Sequence, residues 1–204
     1  MIGSADTGEG EMMTCDSGGG GAFDAPDAAQ LAERCDDLAR RVLAWCDRRG
    51  MKIAAAESLT GGLLADAFVR ITGASRVFLG SAVTYDIAAK AAVLGVDAEL
   101  LEHEGAVHPS VAEQMAVGTS RLYGVGEYAG RVIGLSTTGV AGPGPDGDKP
   151  AGLVYVGVSA PRPDGGSAVR SVRLRLSGDR ERIRRLTVLR VLENVSGFTV
   201  DSQE

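Results

Sequence analysis

The sequence is poor in cysteine and histidine, with three and two residues respectively among 204. The cysteines are odd in number and follow no spacing typical of a disulfide framework or a zinc site. Cys35 and Cys46 fall on one face of a predicted helix, a position that favours small core residues. We therefore predict no metal site and no structural disulfide.

Long apolar runs and a basic excess are also lacking. No apolar stretch approaches the roughly 20 residues of a membrane span, and no basic and apolar leader stands at the N-terminus, so we expect a cytoplasmic protein without membrane contact. The 27 acidic residues outnumber the 21 Lys and Arg residues, for a formal net charge of −6. Because nucleic-acid binding needs clustered positive charge, we predict no nucleic-acid partner.

Acidic residues are concentrated at the N-terminus, where residues 1–30 contain six acids and neither Lys nor Arg. This segment includes "SGGGG" and few large side chains, a composition that cannot bury enough surface to offset chain entropy. We predict a disordered acidic tail over residues 1–26, one globular domain over 27–198 and a short C-terminal tail over 199–204. A chain of this length suits a single domain.

Helical and strand patterns alternate along the domain before strands follow one another directly. Apolar spacing predicts helices over residues 27–49, 60–72, 87–93, 109–124 and 179–195. Short apolar or alternating runs predict strands over residues 51–56, 76–85, 131–139, 152–160 and 168–177. The last two strands are close enough for an antiparallel hairpin. This order predicts an α/β fold, a three-layer α/β/α sandwich with a mixed β-sheet.

The segment "ESLTGG", residues 57–62, stands where a buried strand meets a helix. Ligands of α/β proteins bind at the carboxyl ends of strands. Ser58 offers a hydroxyl there, and Gly61 and Gly62 offer backbone that a ligand can approach closely. The same pattern is typical of a serine that only caps a helix, so both interpretations stay open. Walker and GxGxxG fingerprints are absent.

Rare lysine gives the second clue, because Lys52, Lys90 and Lys149 are the only lysines among 21 basic residues. A buried lysine can lose its proton and act as a base, whereas arginine stays charged. Lys90 follows the strand that ends at Tyr85, so both residues can project from the sheet edge that carries Ser58. A surface lysine beside a core tyrosine is the alternative.

The loop "STTGVAGPGPDGDKP", residues 136–150, is the third candidate element and again follows a strand. A long hairpin connection would account for it, but loops of this length are uncommon without a function. Its hydroxyls, bare backbone and lysine suit an anionic ligand. The residues assigned to binding are Thr138, Gly139, Gly142, Gly144 and Lys149. Among the eight arginines from Arg170 to Arg190, which mostly indicate a solvated face, Arg180 is the best candidate for a ligand contact.

Five stretches carry a family resemblance: "AAAESLTGGLLADAF", "GSAVTYDIAAKAAVLGV", "GAVHPSVAEQMAVG", "STTGVAGPGPDGDKPAGLVYVGV" and "GDRERIR". Together they resemble the CinA C-terminal domain family, whose enzymes are nicotinamide-nucleotide amidohydrolases (PncC). The resemblance runs in unbroken order from about residue 30 to 197 and leaves the acidic tail outside. The separate N-terminal domain of full-length CinA proteins has no counterpart here, so the chain resembles a stand-alone version.

The resemblance implies a deamidase that converts nicotinamide mononucleotide (NMN) to nicotinate mononucleotide and ammonia in pyridine-nucleotide recycling. It implies a serine nucleophile, Ser58, a lysine base, Lys90, and Tyr85 as proton relay or orienting group, with no metal and no cofactor. Further substrate contacts are assigned to Glu57, Thr60, Gly61 and Gly62. Amides of residues 60–62 would hold the oxyanion, and the loop with Lys149 or Arg180 would anchor the phosphate. A homodimer is also implied.

The sequence departs from the family pattern at His108 and Pro109, where relatives commonly have Ser and an acidic residue. It departs again at Pro145, within a run that is usually richer in glycine. Because proline lacks an N–H donor, backbone contacts at Pro145 are expected to differ from those of relatives. Two alternatives stay open: the same Ser-Lys chemistry on another small amide, and a catalytically silent ligand-binding or interaction module.

Overall fold

A computed structural model describes residues 27–200, with side chains described as far as residue 197. The predicted acidic tail over residues 1–26 lies outside this range, as do residues 201–204. Helices within the described chain are α1 (Ala28–Arg48), α2 (Leu63–Val69), α3 (Ile87–Leu94), α4 (Ala98–Glu104), α5 (Pro109–Tyr123) and α6 (Arg180–Val200). Strands are β1 (Lys52–Glu57), β2 (Phe78–Val83), β3 (Val132–Gly139), β4 (Leu153–Pro161) and β5 (Ser167–Arg175).

The strands form one five-stranded sheet in the order β2-β1-β3-β4-β5. β1 is parallel to both β2 and β3, whereas β3 with β4 and β4 with β5 pair antiparallel. The sheet is therefore mixed, and the hairpin predicted for the last two strands is confirmed. Because β1 lies between two parallel neighbours, the carboxyl ends of three strands meet at one edge, where α/β proteins place their ligands.

Helices cover both faces of the sheet. The main apolar core joins α1, α2 and α6 to one face, where Ile53 and Leu135 are buried, and it includes Cys35 and Cys46 as predicted. A smaller core joins α3, α4 and α5 to the opposite face through residues such as Ala56. The predicted three-layer α/β/α architecture is thereby confirmed.

Aspartate side chains cap several helices and so fix where they begin. Asp27 forms a capping box with Gln30 at the start of α1. Asp86 and Asp97 accept hydrogen bonds from the first amides of α3 and α4. Asp179, the predicted cap of α6, accepts from the amide of Arg182 at 2.8 Å. These caps begin α3 and α6 directly beside the carboxyl edge of the sheet.

Helix α5 approaches the sheet backbone unusually closely. A Cβ added at Gly134 would lie 2.0 Å from the carbonyl oxygen of Ala116, and one at Gly157 would lie 2.4 Å from that of Ala112. Ser136 uses the short gap to donate a hydrogen bond to the Ala112 carbonyl oxygen at 2.6 Å. Only small residues fit between this helix and strands β3 and β4, which explains much of their glycine content.

Three helix predictions differ from the structure. Helix α2 begins at Leu63 rather than at residue 60, because residues 60–62 form a turn in which Gly61 and Gly62 have φ angles of 53° and 98°. Helix α4 was not predicted. Helix α6 continues to Val200, beyond the expected end at Val195.

Candidate active site

Ser58 and Lys90 meet at the carboxyl edge of the sheet. Lys90 Nζ lies 3.2 Å from Ser58 Oγ, although the residues belong to different elements, the turn after β1 and helix α3. Ser58 is 8% exposed and Lys90 is fully buried. The hydroxyl thus lies at the boundary between solvent and protein, with the amine directly behind it.

Two backbone carbonyls hold the Lys90 amine in place. Nζ donates to the carbonyl oxygens of Thr84 at 2.7 Å and Tyr85 at 3.1 Å. A neutral amine has two N–H donors and one lone pair, so donating to both carbonyls leaves the lone pair for the Ser58 hydroxyl. Protonation changes only the direction of the Ser58 hydrogen bond. The site therefore accommodates both states of the base without moving it.

The pKa of Lys90 is lowered from 10.5 to about 8, because burial disfavours the charged amine more than the Asp86 carboxylate favours it. Of the ion pairs formed among residues 27–200, none includes Lys90. A pKa near 8 leaves about a tenth of the amine neutral at pH 7. Lys90 is therefore a usable general base near neutral pH.

Backbone pairing fixes the position of Ser58. Its amide donates to the Thr137 carbonyl oxygen at 3.0 Å, which extends the β1–β3 ladder by one residue. On the other side of β1, the Thr84 amide donates to the Glu57 carbonyl oxygen at 2.9 Å. Ser58 and the Lys90-binding carbonyl of Thr84 are consequently held by the same part of the sheet.

The Glu57 side chain lies beneath the turn that follows β1. Its carboxylate is fully buried and accepts five hydrogen bonds, from the Thr60 and Ser81 hydroxyls and from the amides of Gly62, Leu64 and Ala65. These donors belong mainly to the turn and the start of α2. The Glu57 side chain therefore organises the turn from beneath, and its contact with substrate stays a prediction.

The predicted oxyanion donors are only partly available. The Gly61 amide donates to the Ser58 carbonyl oxygen at 3.2 Å, and the Gly62 amide donates to Glu57 Oε2 at 2.9 Å. Both amides already have acceptors within the turn, so their use for the oxyanion stays a prediction that would require these hydrogen bonds to be replaced. The Thr60 hydroxyl is also buried, 2.7 Å from Glu57 Oε2 and 2.9 Å from Thr137 Oγ1. Backbone amides of Leu59 and Thr60, in contrast, donate to no group within residues 27–200.

Tyr85 and Arg180 lie at the mouth of the site. The Tyr85 side chain is 63% exposed, and its hydroxyl accepts a hydrogen bond from Arg180 Nη2 at 3.2 Å. Tyr85 reaches the base through its backbone carbonyl, which fits the predicted orienting role rather than a relay through the phenol. Arg180 Nη1 also donates to the Gly142 carbonyl oxygen at 2.6 Å. The predicted loop and Tyr85 are thus brought together by Arg180.

Within the loop, the predicted binding residues have different environments. The Thr138 hydroxyl already donates to the Ala106 carbonyl oxygen at 2.7 Å. Gly139 packs on β4, since an added Cβ would lie 2.7 Å from the Val154 Cα atom. Gly144 is exposed, whereas Lys149 lies 3.6 Å from the Asp148 carboxylate. Gly142, Gly144 and Arg180 therefore remain the best-placed ligand contacts of this group.

The departures from the family pattern at the start of α5 are structural. The His108 ring accepts a hydrogen bond from the Ser110 amide at 3.3 Å and so acts as the N-cap of α5. Pro109 is the first residue of that helix, a position that needs no N–H donor. Pro145 is exposed in the loop.

Sequence reasoning missed two contributors to the site. Arg184, on α6, donates to the carbonyl oxygens of Leu59 and Thr60 at 2.9 and 2.8 Å. It occurs in "GDRERIR", but its spacing gave no signal that separated it from the other arginines. Thr84 is 2% exposed, and its hydroxyl has no hydrogen-bond partner in the described part of the chain.

Within residues 27–200, no group of three or more His, Cys, Asp or Glu side chains is placed to hold a metal ion. Among the same residues, no helix combines the length and apolar character that crossing a bilayer requires.

Solved structures share this architecture. The competence/damage inducible protein CihA from Agrobacterium tumefaciens matches with a TM-score of 0.72 and 35% identity, covering 80% of this chain and 94% of that chain. A competence-damaged protein (CinA) superfamily protein from Klebsiella pneumoniae matches with a TM-score of 0.72 and 28% identity, covering 82% of this chain and 98% of its own.

Sequence relatives give the same result. A CinA-like protein from Frankia casuarinae is 45% identical over 161 residues, which are 78% of this chain and 34% of that protein. The chain spans about a third or less of the length of the first curated relatives it matches. The family model of the CinA C-terminal domain matches residues 35–198 and so includes the whole Ser58–Lys90 site. This chain therefore belongs to the CinA C-terminal domain family.

Proposed function

We propose that this protein hydrolyses the carboxamide of NMN to nicotinate mononucleotide and ammonia, with Ser58 as nucleophile and Lys90 as base. One observation carries the proposal. A fully buried amine with a pKa of about 8 lies 3.2 Å from the hydroxyl of Ser58, a residue that is 8% exposed. Serine needs a neighbouring base to become a nucleophile, and Ser-Lys pairs perform this chemistry in other hydrolases.

Acylation begins when neutral Lys90 accepts the Ser58 proton. Ser58 Oγ then bonds to the carboxamide carbon, and the carbonyl electron pair moves to oxygen to form a tetrahedral intermediate. As the intermediate collapses, the C–N bond breaks and the Lys90 ammonium returns the proton to the leaving nitrogen. Ammonia departs and leaves a nicotinoyl ester on Ser58. Lys90 is neutral again at the end of this half-reaction.

Deacylation reverses the roles with water as the nucleophile. Lys90 accepts a proton from a water molecule, whose oxygen attacks the ester carbon. Collapse of the second intermediate breaks the bond to Ser58 Oγ, which recovers its proton from Lys90. Nicotinate mononucleotide is released as the carboxylic acid, which then loses its proton to solvent. Over both halves, one amide and one water give one carboxylic acid and one ammonia, so no cofactor is needed to balance the reaction.

Recognition of the nucleotide is assigned to the mouth of the site. Arg180 uses Nη1 and Nη2 once each, for Gly142 and Tyr85. A guanidinium has five N–H donors, so three remain for a phosphate. Gly144 is exposed in the same loop as Gly142, and Tyr85, whose hydroxyl Arg180 contacts, is exposed as well. Family resemblance supports NMN over another small amide.

The test is ammonia release from NMN by purified protein, with and without EDTA. We expect turnover that EDTA does not reduce, and loss of at least about 10³-fold in Ser58→Ala with the fold unchanged. Ser75→Ala is the matched control. Ser75 is exposed in the 3-10 helix Ala74–Arg76 that precedes β2, and the candidate site lies at the other, carboxyl end of that strand. This variant should retain wild-type turnover.

Three results would contradict the proposal in different ways. Undiminished turnover in Ser58→Ala would remove the nucleophile assignment. Ammonia release from other small amides but not from NMN would keep the chemistry and change the substrate. NMN binding by calorimetry without ammonia release would favour a catalytically silent ligand-binding module.

A further inference from the structure

We propose that Arg184 is a positioning residue that holds the Leu59–Thr60 peptide so that the Thr60 N–H faces the reacting carbonyl oxygen. The inference rests on the proposed serine chemistry of this site. The oxyanion donor is then the Thr60 amide, one residue closer to the nucleophile than Gly61. The amides of Gly61 and Gly62 already donate to acceptors within the turn.

Arg184 grips two consecutive carbonyls of the turn after Ser58. Its Nε donates to the Leu59 carbonyl oxygen at 2.9 Å, and its Nη2 donates to the Thr60 carbonyl oxygen at 2.8 Å. The remaining terminal nitrogen, Nη1, donates to Glu181 Oε2 at 2.8 Å, which fixes the plane of the guanidinium. The Arg184 side chain is only 24% exposed, and its guanidinium is held by three hydrogen bonds.

The direction of the Thr60 N–H follows from peptide geometry. In a trans peptide, the carbonyl of Leu59 and the amide of Thr60 point in opposite directions. The carbonyl points toward Arg184 on α6, which covers one face of the sheet. Thr60 N–H therefore points toward the other face, from which Lys90 of α3 reaches Ser58. An attacked carbonyl at Ser58 lies on that same side.

Most backbone amides near Ser58 already have acceptors, so few of them can serve as the oxyanion donor. The Gly61 amide donates to the Ser58 carbonyl, and the Leu63 amide donates to the Thr60 carbonyl at 3.1 Å. Three further amides, of Gly62, Leu64 and Ala65, donate to the Glu57 carboxylate. Between residues 59 and 65, only the Leu59 and Thr60 amides thus lack an acceptor in the described chain. Buried amides rarely stay unpaired without a reason, and developing negative charge on a substrate oxygen supplies one.

Arginine has a property here that lysine lacks. Its planar fork can hold two neighbouring carbonyls at a fixed angle, whereas an ammonium on a flexible stem holds one. Losing the second contact frees the peptide to rotate and turns the Thr60 N–H away from the oxyanion. Because a single oxyanion donor contributes about 10²- to 10³-fold to kcat, we expect Arg184→Lys to lose about 10- to 100-fold in kcat with KM changed less than about threefold.

The experiment compares Arg184→Lys with Arg185→Lys, a matched control on the next residue of α6. Arg185 also pairs with Glu181, at 2.8 Å, but forms no hydrogen bond to the turn. Each variant is assayed for ammonia release and for the rate at which a fluorophosphonate labels Ser58. In labelling, Ser58 Oγ bonds to phosphorus, fluoride leaves and Lys90 takes the proton, so the rate reports the same machinery independently of the amide substrate.

A third readout separates positioning from general loosening of the turn. The aldehyde analogue of NMN forms a tetrahedral hemiacetal with Ser58 and needs the oxyanion donor, whereas bound NMN does not. We expect Arg184→Lys to weaken the aldehyde at least about 10-fold more than it weakens NMN. The apparent pKa of kcat/KM should not move, since Arg184 binds the Leu59 and Thr60 carbonyl oxygens and is not among the charges that shift the pKa of Lys90. Arg184→Gln, which keeps one donor, replaces Arg184→Lys if circular dichroism shows that the latter is unfolded.

The outcomes distinguish this inference from the proposed function. If wild type is labelled at Ser58 but releases no ammonia from NMN, the substrate is wrong and the labelling rates still compare Arg184 with Arg185. If wild type hydrolyses NMN and Arg184→Lys equals Arg185→Lys in kcat, labelling and aldehyde binding, the positioning role is overturned while the function stands. Equal loss of NMN and aldehyde binding would also overturn it, in favour of a structural role.

Discussion

Two buried charges lie on opposite faces of the sheet where β1 ends. Glu57 and Lys90 are both fully buried. The Glu57 carboxylate accepts five hydrogen bonds, including three from backbone amides. Lys90 has two carbonyl oxygens, the Ser58 hydroxyl and no paired carboxylate in the described chain.

These different hydrogen-bond partners indicate different roles, a structural role for Glu57 and a role in proton transfer for Lys90. The acceptor sites of the Glu57 carboxylate are occupied by donors of the turn, α2 and β2, so its hydrogen bonds serve the fold. An amine held by neutral carbonyls is destabilised when charged, so its pKa falls to about 8 and it exchanges protons easily. Burial alone therefore does not identify a catalytic group, whereas incomplete charge compensation does.

The largest effect is expected on the Lys90 side. Lys90→Met removes the base and should lower kcat/KM for NMN by about 10³- to 10⁴-fold. The same change removes a buried amine whose pKa is depressed by burial, so we expect the free energy of unfolding at pH 7 to rise by about 1 to 3 kcal/mol. Urea unfolding and ammonia release, measured on one preparation, check both.

Lys90→Arg is the matched variant, because it keeps the charge and removes the ability to accept a proton. It should be nearly as inactive as Lys90→Met but without the gain in stability. Activity in Lys90→Arg close to that of wild type would show that Lys90 does not act as a base.

The Glu57 side should respond in the opposite way. Glu57→Gln replaces a carboxylate oxygen with an NH₂ group that faces amide donors, and we expect the free energy of unfolding to fall by about 3 kcal/mol. Activity per folded molecule should decrease far less than in Lys90→Met. Urea midpoints with folded-fraction corrections test this, and a stable but inactive Glu57→Gln would reverse the assignment of the two charges.

The lowered pKa of Lys90 also predicts how activity and stability depend on pH. Only neutral Lys90 can accept the Ser58 proton, so kcat/KM should fall about tenfold per pH unit below an apparent pKa of about 8. Because the folded pKa lies below the unfolded 10.5, this group also makes the fold more stable as pH rises from about 8 to 10.5. Burial raises the pKa of the Cys35 and Cys46 thiols, and these groups lower stability as pH rises above about 9. The Lys90 contribution is therefore measured by urea unfolding as the difference in unfolding free energy between wild type and Lys90→Met. A difference that does not change between pH 8 and 10.5 would contradict the shift.

The smallest expected effects on stability concern two hydroxyl side chains, Ser81 on β2 and Thr84 just after that strand. Ser81 donates to Glu57 Oε1 at 2.8 Å, so Ser81→Ala should cost about 1.5 to 3 kcal/mol of unfolding free energy. The Thr84 hydroxyl has no partner in the described chain, and Thr84→Val should stay within about 0.5 kcal/mol of wild type. Equal losses in thermal unfolding would show that the two faces do not differ.

Sequence patterns predicted most of the fold because its elements are long or strongly apolar. The helices α1 and α5 and all five strands lie within a few residues of their predicted positions. Helix α4 was missed because its seven residues, "AELLEHE", are too few for a clear apolar period, and only the Asp97 cap marks its start. The early start predicted for α2 counted as helix a turn whose Gly62 amide donates to the Glu57 carboxylate.

The candidate site was likewise predictable where it depends on local sequence and not where it depends on contacts between distant elements. Ser58 and Lys90 were found because strand ends collect functional groups and because lysine is rare in this chain. The Glu57 carboxylate accepts from turn and α2 amides five to eight residues along the chain, whereas Arg184 binds carbonyl oxygens of the turn from 124 and 125 residues away. No local pattern links Arg184 to the turn, so Arg184 was missed. The use of Gly61 and Gly62 stays a prediction.

The close contact between α5 and the sheet has a consequence for protein engineering. Carbonyl oxygens of Ala112 and Ala116 lie within 2.4 Å of where side chains at Gly157 and Gly134 would begin. Backbone cannot change rotamer to make room, so this layer offers no freedom for redesign. The layer formed by α1 and α6 meets the sheet through many larger apolar side chains that can be repacked together. A more thermostable variant should therefore be sought there, in apolar positions on the face of the sheet opposite α3 and its lysine.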